Sequence, residues 1–574
     1  MLWGSNTIKG LLLGMMACAA LVACTNDDIV ENNGNEQPEK VKANLTLTIS
    51  ASSNSSRASV GGGQTGETGD TTDGGITGES TVTDAVIILN RLNGSELSKD
   101  EFGGYMQKAA LNETTVSGTT VYQPFFSLMQ SGSYKVLVVL NPTEAVKAIA
   151  NDQTENAKSK YERITDDIYT YSGTGDMEIA TSGHFMMVNY DDTPVSVESN
   201  NYDNPSRCNV SVERVVSKIN YLPKKAENRY PITVTTTNYT IAETTSGWYI
   251  EPNNNAVHLT GLHKAKNKDA NDAEVWIHEG VDGRDRRAFT QTNKTYGETE
   301  EYVFDLVTPF PKFEYYTKST SGSLEWSVTL DKYALVNLSK SVYTVRHRAN
   351  SLWSAFTTMG LLDTDYPYIM DPSSISKNSA NYDNISTDYF YNLLADVNND
   401  KVDYSTADQT YFQSLPTSVN NDNAAVGERL TYCLENVVTK SKQAPALVTG
   451  IIFRGQIGDK DGNSLGTVYK CNGKFYLSID AVIADNGANA SYETYYEGRC
   501  YYYSSDIMHN AGDDYMERAI MRNNIYVLSV ESFKAIGSAT IQIDPSGEEV
   551  NNEYYLQMTA SILPWVVRFN NIEF

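Results

Sequence analysis

A chain of 574 residues exceeds what one hydrophobic core usually organises, so two large domains are expected. It is 40% hydrophobic and 20% charged, with 38 Tyr and much Thr, Ser, Asn and Val, residue types that suit strands and turns, and the expected class is all-β. With 71 acidic against 45 basic side chains the net charge is −26, a surface that repels phosphate backbones and anionic lipid, so no nucleic-acid partner is expected.

Residues 1–23 read as a targeting segment and take no part in the fold. Lys9 precedes the apolar run Leu11 to Val22, about twelve residues and short of the ~20 that a membrane-spanning helix needs. The run closes on Leu21-Val22-Ala23-Cys24, which resembles the lipobox of bacterial lipoproteins. There, small residues admit the signal peptidase and the cysteine thiol takes the lipid, so Cys24 becomes the mature N-terminus and carries an acyl chain such as palmitate. Thr25, Asn26, Asp27, Asp28 and Glu31 follow, either an acidic surface-export signal similar to that of Bacteroidales lipoproteins or a solvated tether. Residues 24–40 are polar and read as that tether.

From Val41 the residues Val41, Ala43, Leu45, Leu47 and Ile49 alternate with polar ones, the period-two pattern of a strand with one buried face. Ala51 to Ser80 is then largely Gly, Ser and Thr, with Arg57 as its one basic residue, followed by Ala58, and is expected to be mobile. Strand character resumes at Val82 to Leu89, at Tyr134 to Leu140 and at Val210 to Val216, with helix candidates at Thr143 to Ala150 and Asn156 to Ile164 between them. A boundary is placed near Leu222-Pro223. Beyond it, strand candidates at Ile232 to Thr237, Tyr302 to Leu306, Leu324 to Leu330, Ala446 to Phe453, Lys474 to Ile483 and Ile525 to Val530 have the spacing of a β-sandwich with long insertions. The stretch Asp363 to Asp422 reads as elaborated loops with a few helical turns. At the C-terminus Leu556, Met558, Ala560 and Ile562 alternate with polar residues, and after Leu563-Pro564 the residues Trp565, Val567 and Phe569 alternate again, giving two short strands joined at a proline.

The chain lacks HExxH, the GxSxG elbow, the phosphate-binding loop and the dinucleotide fingerprint. His258 and His263 share one loop without metal-site spacing, and Asp459-Lys460-Asp461-Gly462-Asn463 has its glycine out of place for a calcium loop and reads as a hairpin turn. No catalytic residue, cofactor or metal is assigned. Cys208, Cys433, Cys471 and Cys500 are too scattered for a disulfide framework; Cys471 and Cys500 either pair or stand as buried free thiols.

Several short motifs recur in a familiar order: Tyr134-Lys135-Val136-Leu137-Val138-Val139-Leu140-Asn141, Val210-Ser211-Val212-Glu213-Arg214-Val215-Val216-Ser217-Lys218, Gly473-Lys474-Phe475-Tyr476-Leu477-Ser478, Arg522-Asn523-Asn524-Ile525-Tyr526 and Ile562-Leu563-Pro564-Trp565. With Cys24 and Arg57-Ala58 they span the mature chain, which resembles the Bacteroidales fimbrillins, the type V pilins, and among them the major subunit of the short fimbriae. The resemblance implies two transthyretin-like β-sandwich domains, residues 41–222 and 223–543, followed by a hinge and C-terminal donor strands at 544–574. It also implies lipoprotein export, cleavage between Arg57 and Ala58 by a trypsin-like or arginine-specific protease, and polymerisation by strand exchange. Loss of the strand holding Val41, Ala43, Leu45, Leu47 and Ile49 would open a groove, which Leu556, Met558, Ala560, Ile562, Trp565, Val567 and Phe569 of a neighbour would fill. The expected partners are further copies of the chain, anchor and tip subunits, the protease, surface receptors and, before processing, the outer membrane. The competing readings are a surface glycan-binding lipoprotein and an accessory or tip adhesin of the same fimbriae. Within these motifs Arg522-Asn523-Asn524 is expected to form a turn, and Glu213 and Arg214 to face solvent on an edge strand.

Overall fold

A computed structural model describes residues 43–564, apart from 52–77, 245–261, 349–368 and several shorter stretches. The protein is mainly β, with short helices in its connections. The first sheet runs, neighbour to neighbour, through Asp84–Asn93, Gly132–Leu140, Met187–Asn189, Ser206–Arg214, Ala43–Ala51 and Thr119–Tyr122. A four-stranded sheet follows in the order Glu428–Cys433, Ser217–Tyr221, Asn524–Phe533 and Leu556–Pro564. A third is built around Arg229–Thr244, Phe313–Val336, Gly450–Asp459 and Arg499–Ser504.

Asn524–Phe533 explains how these sheets stack. Along it Ile525 and Val527 belong to the apolar core under the first sheet, whereas Tyr526, Leu528 and Val530 belong to the core shared with the third. Both faces of the strand are therefore covered, which is why its sequence reads as a nearly continuous apolar run. Ser217–Tyr221, buried at every position, lies parallel beside it. The chain leaves the first sheet at Arg214 and enters the four-stranded one at Ser217. The alternating run Val210 to Val216 is thus a strand only as far as Arg214, and the chain bends at Val215 and Val216, where the backbone N–H of Val215 donates to the carbonyl of Met186 (3.0 Å).

Both helix candidates form, at Glu144–Asn151 and Ala157–Thr165. The hydroxyl of Thr143 accepts the N–H of Val146 and the amide oxygen of Asn156 accepts that of Ser159, two side-chain N-caps. Lys474 to Ile483, expected as one strand, is instead the strand Lys474–Tyr476 and the helix Ile479–Asn486. Ser478 makes the change, its hydroxyl accepting the N–H of Ala481 at 3.1 Å. The Asp459 segment is a turn: its carboxylate accepts the N–H groups of Asp461 and Asn463 and the Asn463 amide, each at 2.9 Å. Cys208, Cys433, Cys471 and Cys500 are free thiols. Cys471 and Cys500 sit in separate apolar clusters, and burial pushes the Cys500 thiol up to about 12. His258 lies outside the described residues.

Candidate assembly site

The first strand, Ala43–Ala51, is an internal strand of its sheet, held on both sides. On one side it runs parallel to Ser206–Arg214, from Leu45 opposite Ser206 to Ala51 opposite Val212. On the other it is antiparallel to Phe125–Leu128, with Ala43 opposite Leu128, and meets Tyr122 at Ile49. Pro124 interrupts that second neighbour without losing the ladder, because its carbonyl still accepts the N–H of Leu47 at 3.2 Å. The inward row Ala43, Leu45, Leu47 and Ile49 is 0% exposed. On the opposite face, polar clips fix the register. Asn44 donates its backbone N–H to Oδ1 of Asn200 (2.8 Å), Asn200 Nδ2 returns a bond to the Asn44 carbonyl (3.0 Å), and Ser127 Oγ donates to Asn44 Oδ1 (2.8 Å). Gln123 Nε2 donates to Thr48 Oγ1 at 3.2 Å. Every bond in this set is non-covalent, so the strand stays in its slot through packing and hydrogen bonds alone.

The closing strand, Leu556–Pro564, occupies the outer edge of the four-stranded sheet. It pairs antiparallel with Asn524–Phe533, from Pro564 opposite Asn524 to Leu556 opposite Phe533, with an irregularity at Val530/Ser532. Met558 is half-buried against the second core. Leu556, Met558, Ala560 and Ile562 take alternate positions along this strand, as Ala43, Leu45, Leu47 and Ile49 do along the first, and both strands are nine residues long. Ahead of the closing strand the chain is tied down as far as Ser546: the Pro545 carbonyl accepts the N–H of Ala446 (3.1 Å) and the Asp544 carboxylate that of Ser546 (2.9 Å). Cys24, Val41, Arg57, Ala58, Trp565, Val567 and Phe569 lie outside the described residues.

A buried polar junction joins the slot to the four-stranded sheet. Glu213 and Arg214, expected to face solvent, are 3% and 0% exposed. The strand they close is internal, and both side chains find partners there: Glu213 pairs with Arg346, while Arg214 Nε donates to the Glu79 carbonyl at 3.0 Å. The Glu79 carboxylate takes Lys218 Nζ on both oxygens (3.1 and 3.0 Å) and the Tyr432 hydroxyl (2.5 Å). Burial first, and Glu79 second, push the Tyr432 phenol well above its ordinary value. Asn523, in the left-handed region at φ 59°, places Arg522 inside, where it donates to Glu435 (2.7 Å) and to the carbonyls of Tyr343 (2.7 Å) and Thr344 (3.1 Å). Burial works against that guanidinium's charge, but Glu435 outweighs it and holds the group above its usual range.

Glu79 was hidden in the Gly/Ser/Thr stretch expected to be mobile through Ser80. The last three residues, Gly78 to Ser80, are ordered, and Glu79 is 1% exposed. The available signal was Arg214 and Lys218 within an otherwise apolar run, since buried cations demand anionic partners.

Residues 493–571 match the family model described as major fimbrial subunit protein type IV, fimbrillin, C-terminal. No curated protein matches the chain. Among solved structures, a fimbrilin from Porphyromonas gingivalis is 13% identical over 92% of this chain and 99% of its own, with a TM-score of 0.37. A candidate cell adhesion protein from Parabacteroides distasonis is 11% identical over 91% and 99%, at 0.37. The fimbrial anchor protein of Porphyromonas gingivalis is 9% identical over 61% and 88%, at 0.18. At such scores these likenesses add nothing to the assignment, which rests on the match over 493–571. That region contains Asn524–Phe533 and the closing strand, and its family is one of fimbrial subunits and not of enzymes. Residues 493–571 thus match the C-terminal model of the fimbrillin family, in agreement with the resemblance read from the motifs.

Proposed function

We propose that this chain is a structural subunit of a surface fimbria, exported as a lipoprotein through Cys24, cut between Arg57 and Ala58, and polymerised head to tail by donor-strand exchange. The carrying observation is the first strand: a nine-residue element held on both sides, with a fully buried apolar row, matched in length and alternation by a strand at a sheet edge near the other end of the chain. A cut after Arg57 leaves nothing covalent to hold residues 43–51 in place. Their departure opens a groove whose two walls carry unpaired backbone groups. A neighbour's C-terminal segment fills it with main-chain bonds for affinity and alternate side chains for register. Donor and groove lie on different parts of the subunit, so the contact repeats along a filament instead of closing a dimer.

In this reading residues 41–222 and 223–543 form two transthyretin-like β-sandwich units, with Ser217–Tyr221 passing from the first to a sheet of the second, and residues 544–574 are hinge and donor. Anchor and tip subunits terminate the filament, a trypsin-like or arginine-specific protease starts its growth, and surface receptors are the targets of adhesion. The test is processing. Polymer taken from cells should begin at Ala58, and Arg57→Ala should leave full-length, unpolymerised precursor; filaments that still carry Cys24 would contradict the mechanism. Cys24→Ala should accumulate as an unlipidated, mislocalised precursor, and normal partitioning of that variant into the detergent phase removes the lipoprotein step.

A further inference from the structure

A cleft of about 580 Å³ lies between the loop after Ile168–Thr170 and the strand Glu428–Cys433, far along the chain from either assembly strand. Its first wall is pinned to the second half of the molecule: Ile168–Thr170 pairs with Ser341–Tyr343, and the N–H of Tyr171 donates to the Lys340 carbonyl at 2.7 Å. Gly173, at φ +89°, brings this loop against Tyr391 so closely that an added Cβ would stand 2.9 Å from the Tyr391 Cβ. The rings of Tyr171 and Tyr391 meet edge to face with centroids 5.2 Å apart, and the Tyr171 hydroxyl donates to the Gly175 carbonyl at 2.7 Å. Tyr411 also lines the cleft.

The polar groups here divide into those already engaged and those that are not. Arg429 lies over the Tyr432 ring at 4.5 Å and donates to its hydroxyl at 2.6 Å, and that hydroxyl is bonded to Glu79. Gln413 accepts the Tyr333 hydroxyl at 3.1 Å through its oxygen. By contrast the Tyr391 hydroxyl, the Asn392 side-chain amide and the Asp176 carboxylate, all in the lining, make no hydrogen bond to the described residues. The cleft therefore offers phenol rings, a carboxylate and an amide without hydrogen bonds to the described residues, and the Arg429 guanidinium, which gives one N–H to the Tyr432 phenol.

From this juxtaposition we infer that the cleft binds a neutral saccharide. A pyranose ring presents a C–H face that packs on aromatic rings and a rim of hydroxyls, each both donor and acceptor, which the Asp176 carboxylate and the Asn392 amide of the lining can engage. The volume lies within the ~300–1,000 Å³ of small-molecule sites, and the lining is too polar for a lipid chain. An anionic sugar would meet the Asp176 carboxylate, while Arg429, the one basic residue of the lining, is drawn against the Tyr432 ring and hydroxyl. This site is an adhesive function beyond strand exchange and does not depend on it.

The test uses the full chain, purified in detergent, on an array of neutral, sialylated and sulfated oligosaccharides, followed by calorimetry with the strongest neutral ligand. Neutral binding is expected. Asp176→Asn and Tyr391→Phe, which keep shape and remove one polar function each, should weaken it about ten-fold or more, the loss expected when a bond to a charged group or a buried partner is removed. Tyr202→Ala, an exposed ring outside the cleft, should leave it unchanged. Thermal melting of each variant verifies the fold, and polymer ladders should be normal in all three, which separates this result from failure of the assembly mechanism. Absence of any neutral ligand, binding confined to anionic glycans, or neutral binding that survives both cleft substitutions in a folded chain would overturn the inference.

Discussion

Chains that lack residues 554–574, or that carry Met558→Lys together with Ile562→Lys, are expected to accumulate as monomers on gels although Arg57 is still cut. In the isolated subunit the closing strand bonds to one neighbour, Asn524–Phe533, and Met558 is only half-buried. In the groove left by residues 43–51 the same strand would bond on two sides, to Ser206–Arg214 and to Phe125–Leu128, and its apolar row would take positions that are 0% exposed. Exchange would be downhill for that reason. Leu45, Leu47 and Ile49 each mark a buried position worth roughly 1.5 to 3 kcal/mol, so three such positions contribute about 5 to 9 kcal/mol, comparable to the whole stability of a typical domain. Two buried ammonium groups would cancel that gain, because an uncompensated charge in an apolar slot costs several kcal/mol. The melting temperature of the variant monomer separates failure to donate from failure to fold. Cysteines placed opposite one another in groove and tail should crosslink between wild-type subunits and not between the lysine variants. Ladders that persist unchanged in the deletion would move the donor elsewhere.

How much of this was legible in the sequence depended on how local the cause was. The first strand was readable because alternation is a property of consecutive residues, and Ala43, Leu45, Leu47 and Ile49 proved buried as a row. The helices after Thr143 and Asn156 were readable for the same reason, a cap and its amide lying three residues apart. Lys474 to Ile483 was misread because alternation and helical periodicity overlap in short apolar runs, and a single serine decided between them. Glu213, Arg214 and Glu79 were misread for a different reason. Whether a charge is buried depends on a partner supplied by the fold: Arg346 for Glu213, and for Lys218 a glutamate 139 residues away in the chain. Two motifs of the resemblance, Val210 to Lys218 and Arg522-Asn523-Asn524, appear unrelated in sequence yet meet in space. Asn523 accepts the N–H of Arg214 through Oδ1 (3.2 Å) and donates its own N–H to the Val216 carbonyl (2.8 Å).

That meeting point gives the second large effect: Arg522→Met should destabilise the folded chain by about 3 to 5 kcal/mol, the cost of leaving one member of a buried ion pair without the other. Arg522 and Glu435 are both 0% exposed in their side chains and stand 2.7 Å apart. The guanidinium also satisfies the carbonyls of Tyr343 and Thr344, which no methionine can do. Glu435 alone in that interior retains its charge only at a desolvation cost, and the two carbonyls lose a donor at roughly 1 to 3 kcal/mol each where water does not replace it. The double variant Arg522→Met with Glu435→Leu removes both charges and should recover a large part of the loss, since buried pairs contribute little net stability over apolar residues of similar volume. Urea midpoints of wild type, both single variants and the double variant complete the cycle, and a coupling of more than about 2 kcal/mol is expected between the two positions. Single variants that melt within about 1 kcal/mol of wild type would mean that water reaches the pair. The junction would then be a surface contact, and its side chains would not be what holds the turn at Asn523 against Val216. With the pair intact, the turn ties Ser206–Arg214, the strand beside the proposed groove, to Asn524–Phe533, the neighbour of the proposed donor, so a subunit that accepted one strand and gave another would be held together at the point between the two.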